Sequence, residues 1–173
     1  MIAAVLVGID RLTKWLVTSN MELKDSIHII QIGGREVLNI TYYTNDGAAF
    51  SKFEGQTAML IAVTSVMLAV MIGLLLFKRV KRTPFIIAFS MVIGGGVGNL
   101  IDRIFNDGLV VDFIDFRIIN FAVFNFADIC AVCGAVFILL LLVRDEVTEK
   151  RKKRAEAAKS DEKTETAAEN GEN

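Results

Sequence analysis

The sequence predicts an all-α membrane protein with four transmembrane helices and a small extracytoplasmic β-hairpin, or cradle, between the first two spans. Three observations lead there. Long runs of the 173-residue chain carry no charge, two basic clusters alternate with those runs, and a Gly33-Gly34 pair separates two strand-like runs. The composition is 53% hydrophobic with a mean hydropathy of +0.49, against ~45–50% apolar residues, glycine included, in ordinary soluble domains. Residues 144–173 dilute even this figure, since they hold 8 basic and 9 acidic side chains.

A helix that crosses a hydrocarbon core about 30 Å thick needs about 20 mostly apolar residues. Residues 57–77 supply 21 without a charge, 83–101 supply 19, and 118–143 supply 26 with Asp128 as the only charge. Residues 1–17 are apolar at both ends but carry Asp10, Arg11 and Lys14. A secretory signal places its basic residues ahead of its apolar region and ends in small residues. Here the charges lie within or after that region, so the segment reads as a first span with functional polar residues. Lys78, Arg79, Lys81 and Arg82 link spans two and three, and Arg144 with the cluster at 150–154 follows span four. Basic flanks stay cytoplasmic, which puts both termini inside and residues 18–56 and 102–117 outside. The outer segment holds strand-like runs at 26–32 and 37–43, a hairpin expected to lie on the outer membrane surface. From about Glu149 the tail reads as a helix stub followed by disorder, leaving 1–148 as the membrane domain. Trp15 suits an interfacial anchor, and His28 a surface position.

A net charge of −1 gives no general basic field, so nucleic acid is not an expected partner. Two cysteines make no disulfide scaffold, and a single histidine argues against a His-rich metal site. No cofactor is expected. Gly94, Gly95, Gly96 and Gly98 are not followed by Gly-Lys-Ser/Thr and lie in a span, so they serve close helix packing rather than a nucleotide. Cys130 and Cys133 form a C-x-x-C in an apolar helix without a second pair, which reads as packing rather than redox or zinc chemistry.

Ionisable residues inside a membrane are expensive and are functional suspects by default. At ~1.5 Å per residue, Asn99 and Asp102 fall about 24 and 28 Å along span three, and Asp128 about 22 Å above the inner end of span four. Asn125 lies higher, and Asp112 belongs to the outer link just ahead of that span. Asp10 and Lys14 fall at mid-depth of span one or slightly above, with Asn45, Asp46 and Arg103 on the flanking outer segments. Polar groups from separate segments thus converge in the outer half of the bilayer. Asp112 and Asp128, brought together, share one proton because neighbouring carboxylates do not both ionise cheaply. Such a pair draws a proton from water, aims that water at a peptide carbonyl and protonates the departing amine. Asp107 and Asp115 read as surface acids. Two other classes stay open: a small proton-coupled transporter or channel with Asp10, Asp102 and Asp128 as relay groups, and a non-catalytic scaffold that tolerates Asp→Asn changes.

At these residues the sequence resembles the bacterial lipoprotein signal peptidase family, the type II signal peptidases. Five blocks match in order: Asp10-Arg-Leu-Thr-Lys14, Asn45-Asp-Gly-Ala-Ala-Phe50, Gly94-Gly-Gly-Val-Gly-Asn-Leu-Ile-Asp-Arg103, Val110-Val-Asp-Phe113 and Phe124-Asn-Phe-Ala-Asp128. They cover everything except the tail. The resemblance implies an intramembrane aspartyl endopeptidase that cleaves diacylglyceryl-modified prolipoproteins just before the modified Cys. By motif match its two acids are Asp112 and Asp128, with Asp102 the rival for the first role. Asn45, Gly47, Asn99 and Asn125 fall in the blocks as supporting residues, the asparagines hydrogen bonding to substrate backbone or to the acids. Arg103 would hold a substrate carbonyl or a carboxylate, and would form with Asp102 a charge pair that orders the site. Asp10 and Lys14 would pair and tie span one to it. The expected enzyme is a monomer of the bacterial cell membrane, in contact with lipid, with its active site near the outer leaflet. The sequence departs from the family's common pattern at Gly96, Asp46 and Ala122, where Ala, Thr and Pro are frequent.

Overall fold

The computed structural model describes residues 1–47, 57–119 and 121–169. Its elements run α1 (Ile2–Asn20), β1 (Ser26–Ile32), β2 (Arg35–Asn45), α2 (Thr57–Leu76), α3 (Thr83–Phe105), β3 (Val110–Phe116) and α4 (Phe126–Glu169). Among the described residues, three helical segments are long and apolar enough to cross a membrane: Thr57–Leu76, Thr83–Phe105 and Phe126–Lys153. The first helix, α1, interrupts its apolar residues with Asp10, Arg11 and Lys14 and is not one of the three. The chain divides into two compact units, Met1–Val136 and Phe137–Asn173, and the site lies wholly within the first.

Burial in that first unit is arranged the opposite way from a soluble domain. The largest fully buried side chains are Lys14, Asn39, Asn125, Asp10, Asp102 and Asp112, while Val5, Leu12, Val63, Val66, Met67 and Val70 are exposed. Water-facing helices show the reverse, whereas a lipid-facing surface with an expensive polar interior gives this pattern.

The glycines of α3 set its distance from three neighbours. A Cβ on Gly94 would meet Leu6 and Ala3 of α1, and one on Gly96 would meet Leu68 of α2. On Gly95 it would lie 2.2 Å from the Ala127 carbonyl oxygen of α4, and on Gly98 2.6 Å from Asp10 Oδ2. Only a bare Cα lets these backbones and this carboxylate come so near. On α1 the buried positions are Asp10, Lys14 and Val17, one stripe at i, i+4, i+7 spacing.

The β element is larger than the expected hairpin. It is a three-stranded antiparallel sheet in the order β1-β2-β3. Residues 110–116, read as an irregular link, form β3 because β2 runs to Asn45, past the expected end at Tyr43, and offers its second edge. Six of the seven β3 residues are at least partly shielded, so the strand lacks the alternation that marks a half-exposed strand in sequence. The last candidate span, expected as the fourth, also begins later than expected. Its helix starts at Phe126 rather than at residue 118, and the residues before it pair with the sheet: Ile114 bridges Phe124, with Ile114 N–H donating to Phe124 O at 2.7 Å and Phe124 N–H to Ile114 O at 3.1 Å.

In the second unit the charged run is helical through Glu169, where disorder was expected. Glu146–Lys150 and Glu149–Lys153 pairs at i, i+4, 2.7 and 3.8 Å apart, support the start of that run. Alanine, glutamate and lysine are strong helix formers.

Candidate active site

Strand pairing and a helix cap bring the two principal acids together. β2 pairs with β3 in a register that sets Tyr43 opposite Asp112 and Asn45 opposite Val110. Asn45 is therefore a diagonal neighbour of Asp112 on one face of the sheet, and its Nδ2 donates to Asp112 Oδ2 at 3.2 Å. The bridge between Ile114 and Phe124 holds Asp112 beside the first turn of α4. There Asn125 and Asp128 form a reciprocal cap: Asp128 N–H donates to Asn125 Oδ1 at 3.0 Å, and Asn125 N–H donates to Asp128 Oδ2 at 3.1 Å.

With its oxygen committed to that cap, the Asn125 amide directs its Nδ2 to Asp112 Oδ1 at 2.6 Å and to Asn99 Oδ1 at 3.0 Å. Asn99 Nδ2 in turn donates to Asp128 Oδ1 at 2.7 Å. One buried asparagine thus touches both acids, directly and through Asn99. Arg103, one helical turn beyond Asn99, donates from Nη2 to the Gly47 carbonyl at 2.8 Å, and Gly47 N–H donates to Asn45 Oδ1 at 2.9 Å.

Both acids open on one cavity of about 380 Å³. Among the described residues its polar lining is Asn45, Gly47, Asn99, Arg103, Asp112 and Asp128, and its apolar lining includes Val110, Phe121, Ala122, Phe124, Ile129 and Val132. Asp112 lies outside the spanning helices and is 2% exposed. Burial first, and the neighbouring Asp128 carboxylate second, push it up to about 7. Asp112 therefore exchanges its proton near neutrality.

A second cluster lies between α1 and α3. Lys14 Nζ sits 2.9 Å from Asp10 Oδ2, 2.7 Å from Asp102 Oδ2 and 2.9 Å from Asn99 Oδ1. Arg11 also bonds Asp102. Val111 N–H donates to Asp102 Oδ2 at 3.3 Å, and Ala127 N–H to Asp10 Oδ1 at 3.0 Å. The cluster therefore ties α1, α3, β3 and the start of α4 to one another.

Most of the sequence-predicted residues meet, with four differences. Asp102 takes Lys14 and Arg11 as its ion partners rather than Arg103, whose Nη2 goes to Gly47. Arg11, which carried no expected role, reaches the buried Asp102 from the half-exposed edge of the cluster; its place one residue after Asp10 was the only signal. Asp115, read as a surface acid, is buried: Thr41 Oγ1 donates to its Oδ2 at 2.7 Å, and Arg117 Nε lies 2.8 Å away. Cys133, read as a packing residue, is exposed and lines the cavity. Residues 48–50 of the block that begins at Asn45 lie outside the described residues.

Apolar helices and a small sheet that deliver two carboxylates to a partly enclosed cavity define a membrane protein equipped for acid–base hydrolysis. The chain belongs to the signal peptidase II family: the model described as signal peptidase (SPase) II matches residues 2–144. It is 38% identical over 159 residues to a lipoprotein signal peptidase of Halalkalibacterium halodurans, covering 89% of this chain and 97% of that protein. To one of Brevibacillus brevis it is 39% identical over 140 residues, covering 81% and 91%. Among solved structures, a bacterial membrane enzyme at 31% identity matches 84% of this chain and 87% of its own, with a TM-score of 0.77. The protein is accordingly a bacterial membrane protease of the aspartic class that removes signal peptides from prolipoproteins. Family membership sets aside the transporter and scaffold readings.

Proposed function

We propose that Asp112 and Asp128 are the catalytic pair, and that together they cleave the prolipoprotein just before its diacylglyceryl-modified Cys. The observation that carries the reading is that both acids line one cavity and that Asn125 donates to both, from Nδ2 to Asp112 and from its backbone N–H to Asp128. Asp102 is the weaker candidate because Lys14, Arg11 and the Val111 N–H already occupy its oxygens. In the reaction one acid takes a proton from water, and the water oxygen bonds to the scissile carbonyl carbon. The C–N bond breaks as the other acid protonates the leaving amine. Asn45, Asn99 and Asn125 orient the acids, and Arg103 with Gly47 borders the path of the substrate backbone. The apolar walls suit the acyl chains.

In this reading α1 is a fourth span. Its buried Asp10 and Lys14 face α3, and its remaining surface is apolar enough for lipid. The basic α2–α3 link and tail then face the cytoplasm, the sheet lies outside, and the site works as a monomer near the outer leaflet.

The test is cleavage of a synthetic peptide bearing a diacylglyceryl-modified Cys by the purified protein in detergent. Asp112→Asn and Asp128→Asn are expected to be inactive while folded, and Asp102→Asn to keep part of the activity. An active Asp112→Asn beside an inactive Asp102→Asn would reassign the first acid to Asp102.

A further inference from the structure

We infer that Lys14 is a positioning residue that gives the acid pair its direction: through Asn99 it holds Asp128 as the ionised base, so that Asp112 carries the proton delivered to the leaving amine. The inference rests on the two-acid reading and goes beyond it by assigning the two roles.

The argument is one of donor and acceptor polarity. Lys14 is 1% exposed, and its ammonium has only donors to offer. It directs them at Asp10, at Asp102 and at Asn99 Oδ1, 2.9 Å away. The Asn99 oxygen must therefore face Lys14, and Asn125 Nδ2 at 3.0 Å fixes the same orientation. The Asn99 NH2 group is left pointing the other way, onto Asp128 Oδ1 at 2.7 Å. Asp128 Oδ2 faces the Asn125 N–H at 3.1 Å. Hydrogen bonds that a carboxylate accepts favour its charged form.

Asp112 also receives amides, from Asn125 at 2.6 Å and Asn45 at 3.2 Å, but no cation stands behind either. The Asn45 oxygen is held by the neutral Gly47 N–H, and the Asn125 oxygen by the neutral Asp128 N–H. An ammonium on an amide oxygen polarises that amide and strengthens its N–H donors, so of the two acids only Asp128 is bonded by an amide so polarised. Asp112, buried and beside Asp128, keeps its proton to about 7.

The charged groups around the pair are Asp10, Arg11 and Lys14 on α1 and Asp102 and Arg103 on α3. The first four comprise two acids and two bases, and Lys14 acts through space on Asp112 only as the last of the influences on it, so the cluster acts on Asp128 by orienting Asn99 rather than by a net field. Arg103 interacts electrostatically with both Asp112 and Asp128 and does not by itself choose between them. In the turnover this implies, Asp128 takes a proton from water as the C–O bond forms. Asp112 gives its own proton to nitrogen as the C–N bond breaks, and a proton passing from Asp128 to Asp112 resets the pair.

The test is kcat and KM against pH for the full chain in detergent, with the lipidated peptide as substrate. Lys14→Met alone leaves two buried acids short of a cation. The working variant is therefore Lys14→Met with Asp10→Asn, which removes one charge of each sign, and its folding is checked by melting. We expect kcat to fall about 10²-fold, KM to stay within about twofold, and the acid limb of kcat to move up by about one pH unit. Asn99→Leu, which leaves the ion cluster whole, should reproduce both changes, and adding the double change to it should cost no more than about twofold further. An unmoved acid limb in these variants, or full additivity on Asn99→Leu, overturns the inference. Asp112→Asn and Asp128→Asn are measured alongside. Turnover retained in either removes the two-acid reading itself, whereas both inactive with an unmoved limb removes only the role assigned to Lys14.

Discussion

Two groups of buried acids lie side by side in this protein, and they are built differently. Asp10 and Asp102 are matched by Lys14 and Arg11, so this group is closed and close to neutral. Asp112 and Asp128 are held almost entirely by asparagine amides and backbone N–H groups, and they face a cavity. A cation would fix each acid as an anion and leave it nothing to exchange. Amides orient an acid yet let it gain and lose a proton. The difference separates acids that anchor helices from acids left able to exchange a proton, more directly than burial does, since Asp10, Asp102 and Asp112 are all nearly inaccessible.

Four measurements break or sharpen that contrast. The largest effect is expected from Asp128→Asn or Asp112→Asn: turnover falls by about 10⁴-fold with little change in melting temperature. A large loss of stability instead would mean that the open pair is structural too. Next, Lys14→Met alone should lower stability by about 3–5 kcal/mol, read by unfolding in detergent, because it leaves Asp10 and Asp102 short of a cation. A variant as stable as the wild type would erase the distinction from the other side.

Gly95→Ala comes third. Its Cβ would meet the Ala127 carbonyl, and overpacking of this kind costs about 1–3 kcal/mol. Because it pushes on the start of α4, cleavage should fall more than the α1–α3 cluster loosens, which hydrogen exchange of α1 would report. The smallest is the pH response of the wild type. In the roles inferred above Asp112 delivers a proton, and it loses that proton as pH rises through about 7. Cleavage should therefore be fullest below that value and fall about tenfold per unit well above it. A rate that climbs through pH 8 would contradict the protonated role of Asp112.

The apolar helices, and the polar residues that meet between them, were legible in the sequence because membranes penalise charge. Asp128 stands alone in a long apolar run, and Asp10 and Lys14 interrupt another. β3 was not legible, since residues 110–115 are at least partly shielded on both faces and only pairing with β2 makes them a strand. Asp115 looked like a loop acid for the same reason, because its partner Thr41 is 74 residues away. Arg11 points to Asp102 across 91 residues, a contact that no local pattern announces. The late start of α4 was hidden because the apolar run continues through residues 118–124, and only the Asn125–Asp128 cap ends it.

That cap has a consequence for drug resistance. Asn125 begins a helix with its side-chain oxygen and, with its Nδ2, reaches Asp112 directly and Asp128 through Asn99. A mutant that escapes an inhibitor by altering this residue gives up the helix start and the bridge between the acids at once. Resistance to a compound gripping Asn125 would therefore have to arise elsewhere along the cavity, at apolar wall positions such as Phe121 or Val132 whose side chains hold neither acid.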